Sequence, residues 1–139
     1  MALTHEEGIA LARAHAAAER NGDLAATLAT LEADPLYELF PIGRTFRGMA
    51  ATRVYYDHFF TTFRPIGRGS ELHSEWVSDR GVAQEYTLRI RPPGGGDESH
   101  RVVAIFTFGT TALAGERVYG SERLLRLLFG PAFDLATPI

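Results

Sequence analysis

The segment QEYTLRI, residues 84–90, alternates polar and apolar side chains with the two-residue period of a β-strand. Glu85, Thr87 and Arg89 share one face; Gln84, Tyr86, Leu88 and Ile90 share the other. A face that carries a carboxylate and a guanidinium either side of a threonine meets water or lines a cavity that uses the charges. The expectation drawn here is the cavity.

The neighbouring segments extend this strand into a sheet. ELHSEWVSD, GVAQEYTLRI, HRVVAIFTFG and LAGERVYG all read as strands. Asp79-Arg80-Gly81 is a tight hairpin signal, and PPGGGDES is a longer hairpin tip. Upstream the period changes to that of helices. Thr4 and Glu7 have capping-box spacing and open a helix that runs to about Arg20 and stops at Asn21-Gly22. Asp23 caps a second helix, LAATLATLE, with Leu24, Leu28 and Leu31 on one stripe. LYEL is a short strand candidate and PIGRTFRG a loop. A third helix, from about Met49 to Phe63, carries the aromatic stripe Tyr55, Tyr56, Phe59, Phe60, Phe63. After the strands, Ser121 caps a final helix ERLLRLLF, or its Leu pairs continue the last strand. Three helices followed by an antiparallel meander predict an α+β fold, with the sheet wrapped against the N-terminal helices.

The 139 residues suit one domain, residues 1–139. A hydrophobic fraction of 45% and a charged fraction of 22% are those of an ordinary globule. No run is long enough to span a bilayer, and the start MALTHEEG does not read as a leader, so the expected location is cytoplasmic. Cysteine is absent, which excludes disulfides, thiol nucleophiles and cysteine-bound zinc. Net charge is −3, and all 14 basic residues are arginines scattered along the chain, so no nucleic-acid partner is expected. The histidines His5, His15, His58, His73 and His100 show no paired ligand spacing, so no metal is expected. Nucleophile-elbow, P-loop and dinucleotide glycine motifs are missing, and the glycines at 94–96 sit at a hairpin tip.

The motifs ERNGDLAATLATLEADPLYEL, FRGMAATRVYYDHFF, GVAQEYTL and LAGERVYGSE, in that order, resemble the SnoaL-like and ketosteroid-isomerase-like superfamily. Its cystatin-like cone is shared with nuclear transport factor 2. The resemblance covers nearly the whole chain and is specific for fold rather than function, because this fold hosts isomerases, cyclases, hydrolases, dehydratases and non-enzymes. It implies a pocket on the concave face of the sheet. It places Ala83, Glu85, Thr87 and Arg89 inward, with Gly115, Arg117 and Tyr119 on the last strand. It also implies that the isomerase mechanism is not retained. The position of the carboxylate base is Leu39, that of the oxyanion tyrosine is His15, and that of the protonated aspartate is Ala104; the supporting tyrosine is kept as Tyr56.

The candidate catalytic residues are then Glu85, Arg117 and His15. Glu85 would move a proton and Arg117 would hold an oxyanion; the plainer reading pairs them as a buried ion pair. His15 would donate to a ligand oxygen, or be a core histidine satisfied by Tyr56 or backbone. Candidate ligand-binding residues are Asp34, Tyr37, Tyr55, Tyr56, Trp76, Arg89 and Tyr119; the plainer readings are turn capping for Asp34 and simple core packing for at least half of the rings. The expected function is a small-molecule pocket, with cofactor-free isomerisation, cyclisation or (de)hydration of a hydrophobic carbonyl compound. The alternative is a non-catalytic ligand-binding or dimeric interaction module. A homodimer through the outer sheet face is expected, with Val103, Ile105, Tyr86, Leu88 and Val118 pointing outward.

Overall fold

The computed structural model describes residues 3–139; Met1 and Ala2, the start of the MALTHEEG segment, lie outside the described residues. Helix α1 spans His5–Asn21. Thr4 caps it by accepting from the Glu7 amide, and Gly22 closes it in the left-handed conformation. Helix α2 is Leu24–Ala29, capped by Asp23, and is shorter than its leucine spacing predicts. Thr30 ends it, and the chain enters strand β1, Leu31–Phe40.

This strand is longer than LYEL, and the supposed loop after it holds a second strand, β2, Arg44–Arg47. Helix α3, Met49–His58, passes into a π-turn at Phe59–Phe63 and a 3₁₀ turn at Arg64–Ile66. Strands β3 (Gly67–Ser78), β4 (Gly81–Ile90), β5 (Glu98–Phe108) and β6 (Leu113–Tyr119) follow. Of the two readings of ERLLRLLF, the helix is correct. Helix α4 is Glu122–Phe129, capped by Ser121, and α5 is Pro131–Leu135 before a short β7 at Thr137–Pro138.

The sheet is curved and unclosed, in the order β3-β4-β5-β6-β1-β2-β7. It is antiparallel except where β1 lies parallel to β6. That pairing brings the chain's first strand beside its last long one.

Register decides which residues the helices cover. One row runs Val77–Val82–Phe106–Glu116–Tyr37–Phe46 across successive strands. The next runs Glu75–Gln84–Ala104–Val118–Leu39–Arg44. Val82, Phe106, Tyr37, Phe46, Ala104, Val118 and Leu39 are all buried, so this is the inner face. The outer rows are Trp76–Ala83–Ile105–Arg117–Glu38 and Ser74–Glu85–Val103–Tyr119–Phe40.

The expected faces are therefore reversed. Glu85, Thr87, Arg89, Arg117 and Tyr119 point outward, while Tyr86, Leu88 and Val118 point inward; Val103 and Ile105 do lie outside, as expected. The cause is hydrophobic patterning. Val82, Tyr86, Leu88 and Ile90 offer far more apolar area to the helices than Glu85, Thr87 and Arg89.

Candidate functional site

Helix α1 lays Gly8, Ala12, His15 and Ala18 against the sheet. Their small size brings the backbone close; a Cβ on Gly8 would collide with the Phe108 ring. At this short range the imidazole of His15 enters the interior and is fully buried, edge-on to Phe106 and Tyr56.

Every polar atom of His15 is engaged. Nδ1 lies 2.7 Å from Thr30 Oγ1, and that hydroxyl donates its own hydrogen to the Thr27 carbonyl at 2.7 Å. The proton between His15 and Thr30 therefore sits on Nδ1. Nε2 lies 2.7 Å from the Tyr56 hydroxyl. Tyr56 in turn lies 3.0 Å from Glu19 Oε2 and 3.2 Å from the Tyr37 hydroxyl. Glu19 Oε2 is also 3.4 Å from His15 Nε2, one helical turn along α1.

Proton counting favours an imidazolium. If His15 is neutral, the single Tyr56 hydrogen goes to Nε2 and Glu19 accepts nothing from Tyr56. If His15 is charged, Nε2–H donates to Tyr56 and Tyr56 donates to Glu19, so every contact is satisfied. Electrostatics agree. Burial pushes the imidazole down, but the Glu19 carboxylate, aided by Glu116 and the Thr27 backbone, outweighs it and holds the His15 pKa above its ordinary value. Tyr56 and Tyr37 are pushed well up by burial and by the Glu19 and Glu116 charges, so both remain phenols.

Glu116 faces this cluster from β6. It is 9% exposed. Burial first, and the Glu19 charge second, push its carboxyl up to about 8, with His15 pulling the other way; no hydrogen bond contributes. Among the described residues no wholly enclosed side-chain polar atom is left unpaired, so the Glu116 oxygens keep contact with a small accessible space. A neutral carboxylic acid with no hydrogen-bond partner among the described residues, beside an imidazolium–carboxylate pair, sets a proton donor near a proton acceptor on the inner face.

The remaining candidates are placed as follows. Glu85 pairs with Arg101 at 2.7 Å, and Arg117 pairs with Glu38 at 3.1 Å, all on the outer face. The expected Glu85–Arg117 ion pair is not formed. Arg89 meets Glu71 at 3.4 Å, also outside. Asp34 pairs with Arg47 at the exposed rim, at 3.1 Å. Trp76 and Tyr119 are 54% and 39% exposed on the outer face. Tyr37, Tyr55 and Tyr56 are buried inside, where Tyr37, Tyr55, Phe46 and Phe129 stack on one another.

The structure thus gathers His15, Tyr37 and Tyr56 and leaves the charged candidates on the far side of the sheet. The deep end of the cone is filled by rings. Two open depressions lie elsewhere, one of about 440 Å³ beside His58 and Pro131, the other of about 460 Å³ beside Leu36 and Ile139.

Glu19 and Glu116 are the residues the sequence reading missed. Glu19 is the fourth residue after His15, so helical spacing alone places it beside the imidazole. Glu116 follows from Val118, since a strand that turns Val118 to the core turns Glu116 with it.

No curated protein matches this sequence. Solved structures of the same fold are plentiful. Bal32a, from a soil-derived mobile gene cassette, superimposes with a TM-score of 0.72 at 15% identity, over 90% of this chain and 97% of its own. SalBIII, described as an epoxide hydrolase/cyclase-like enzyme in pyran ring formation in the polyether salinomycin, gives 0.70 at 17% identity, over 85% and 93%. AclR, a putative hydroxylase from Streptomyces galilaeus, gives 0.68 at 19% identity, over 90% and 82%. The model of the SnoaL-like domain matches residues 12–113, a span that takes in α1 from Ala12 onward, the sheet through β5 and both arms of the His15–Tyr56 contact, and the chain therefore belongs to the SnoaL-like family.

Proposed function

We propose that the protein is a cofactor-free acid–base enzyme acting on a small, neutral, mainly apolar molecule with a reactive oxygen, such as a carbonyl or an epoxide. The observation that carries this reading is Glu116, a carboxyl that is nine-tenths buried, has no hydrogen-bond partner among the described residues and stands by an imidazole linked to a second carboxylate. Protonated Glu116 donates to the ligand oxygen. The Glu19 carboxylate, held by Tyr56 and His15, takes up the proton released elsewhere on the ligand and returns it. The ligand chamber proposed here is the small space beside Glu116, and the two carboxylates around it disfavour an anionic ligand. Partly exposed Phe60, Ile66, Tyr86 and Leu88 supply apolar surface for entry, next to the π-turn at Phe59–Phe63. This reading moves the acid from Glu85 to Glu116 and makes His15, fully buried and bonded at both nitrogens, a positioning group for Tyr56 and Glu19.

The test uses styrene oxide and a β,γ-unsaturated cyclic ketone as probes. Product formation is followed with wild type, Glu116→Gln and His15→Gln. The expectation is turnover of at least one probe by wild type and a loss of roughly a hundredfold or more in Glu116→Gln, the scale of one general acid. Equal turnover by Glu116→Gln overturns the assignment.

The second reading is a ligand-binding or interaction module that forms a homodimer through the outer face. Exposed Trp76 and Tyr119, with Val103, Ile105 and Phe40 between and beside them, form an apolar stripe there, and Phe40 stacks on Tyr119. A probe bound unchanged, with no product on long incubation, favours this reading over catalysis.

A further inference from the structure

Away from the chamber, the first residues of β5 and the start of α4 bring a hydroxyl, an imidazole and a carboxylate into line. The Ser121 hydroxyl lies 3.5 Å from His100 Nδ1, and His100 Nε2 lies 2.9 Å from Glu98 Oε1. We propose that Ser121, His100 and Glu98 form a nucleophile–base–acid site that hydrolyses activated esters.

The arrangement has a defined proton layout. Glu98 is held by Arg123, whose Nε donates to Oε1 at 2.9 Å and whose Nη2 donates to Oε2. With both carboxylate oxygens occupied by donors, Glu98 stays ionised. It accepts Nε2–H from His100 and fixes the tautomer in which Nδ1 is a free base. That lone pair faces Ser121. His100 and Glu98 side chains are 14% and 25% exposed, so the base is sheltered while the serine is open to solvent.

Ser121 is also the N-cap of α4, and its Oγ accepts from the Leu124 amide at 3.1 Å. That contact and the positive end of the helix both favour an alkoxide. The next two residues, Glu122 and Arg123, begin the helix, where backbone N–H groups have no intrahelical acceptor. An amide directly after the nucleophile is where an oxyanion of an acyl-transfer intermediate is held.

The step balances without a co-reactant other than water. Ser121 Oγ bonds to the ester carbonyl carbon as its proton passes to His100 Nδ1. The carbon–oxygen bond to the leaving alcohol breaks, and the alcohol takes that proton. Water, deprotonated by His100, then cleaves the acyl-serine. The 3.5 Å separation is long for the first transfer and matches the looser nucleophile–base spacing found before a substrate is bound.

The test is p-nitrophenyl acetate with the full-length protein, read as nitrophenol release and as acetylation mapped by peptide mass spectrometry. Wild type is expected to carry acetyl on Ser121. His100→Gln should lower both signals at least tenfold. Ser121→Asn retains a capping side chain and removes the nucleophile, so it should fold as wild type and lose the Ser121 adduct. Ester hydrolysis that survives Ser121→Asn but not His100→Gln would mean that His100 acts alone, and it overturns the proposal. An absent Ser121 adduct in wild type, with release no faster than in Ser121→Asn, overturns it as well.

Discussion

Tyr56 places its hydroxyl 2.7 Å from His15 Nε2 and 3.0 Å from Glu19 Oε2, so one phenol of α3 ties together two residues of α1. Both rings are fully buried. Removing the oxygen leaves three groups short of a partner: the imidazole, the Glu19 carboxylate and the Tyr37 hydroxyl. Tyr56→Phe should therefore cost about 1–3 kcal/mol of stability, the range for stranding buried polar groups. Urea unfolding with an unchanged m-value would measure it. A loss near zero would mean that water replaces the phenol oxygen.

Stability should fall as pH rises from about 4.5 to about 8. Glu116 binds its proton more tightly folded than unfolded, with its pKa raised to about 8, so the unfolded state ionises first and gains on the folded state across that window. His15 works in the same direction. Its raised pKa gives stability that is present below its unfolded value and lost as pH rises through the folded one. The slope attributable to Glu116 is at most about 1.4 kcal/mol per pH unit. Glu116→Gln should flatten it, and the variant should match or exceed wild type near pH 8. Glu98, lowered to about 2 by Arg123 and His100, acts only in the acid range below its unfolded value. Thermal unfolding at several pH values checks the window.

Much of this is legible in the sequence. The cap at Thr4, the stop at Gly22 and the inner histidine on a face of alanines all follow from local rules. Strand β1 was underestimated because its length comes from parallel pairing with β6, a contact far apart in the chain. Strand β2 read as a loop because four residues between Gly43 and Gly48 carry too little pattern to show. The charged site was placed on the wrong face for a different reason. Alternation in residues 84–90 defines two faces and leaves open which one is covered; Glu85 and Arg89 were assigned by resemblance, whereas the apolar area of Tyr86, Leu88 and Ile90 decides it. Once Glu85 is outside, Glu116 becomes the acid that shares a row with Phe106 and Tyr37.

The outer face gives a prediction about assembly. Ile105 lies between Ala83 and Arg117, at the centre of the stripe that ends in Trp76. A glutamate there puts a second carboxylate beside the Arg117–Glu38 pair, and its desolvation opposes any interface built on that stripe. The expectation is a dimer in sedimentation velocity at micromolar concentration for wild type and a monomer for Ile105→Glu, with an unchanged circular dichroism spectrum. A monomeric wild type removes the dimer from the account.

Gly115 is the residue on which the orientation of Glu116 depends. Its φ of 141° lies where side chains are rarely tolerated, and a Cβ there would meet the backbone of Leu36 on the parallel neighbour β1. It sits where the β5–β6 register shifts, between Thr107 and Phe108, so the irregularity falls one step before the acid. Gly115→Ala must push β1 away or rotate the β6 backbone. Either change costs about 3 kcal/mol or more, since steric conflict is with main chain and cannot relax through a rotamer. Rotation also swings Glu116 from the chamber toward the outer face and returns its carboxyl toward ordinary acidity. The variant should therefore lose stability and the downward pH slope together, whereas a simple packing defect would lower stability by the same amount at pH 5 and pH 8.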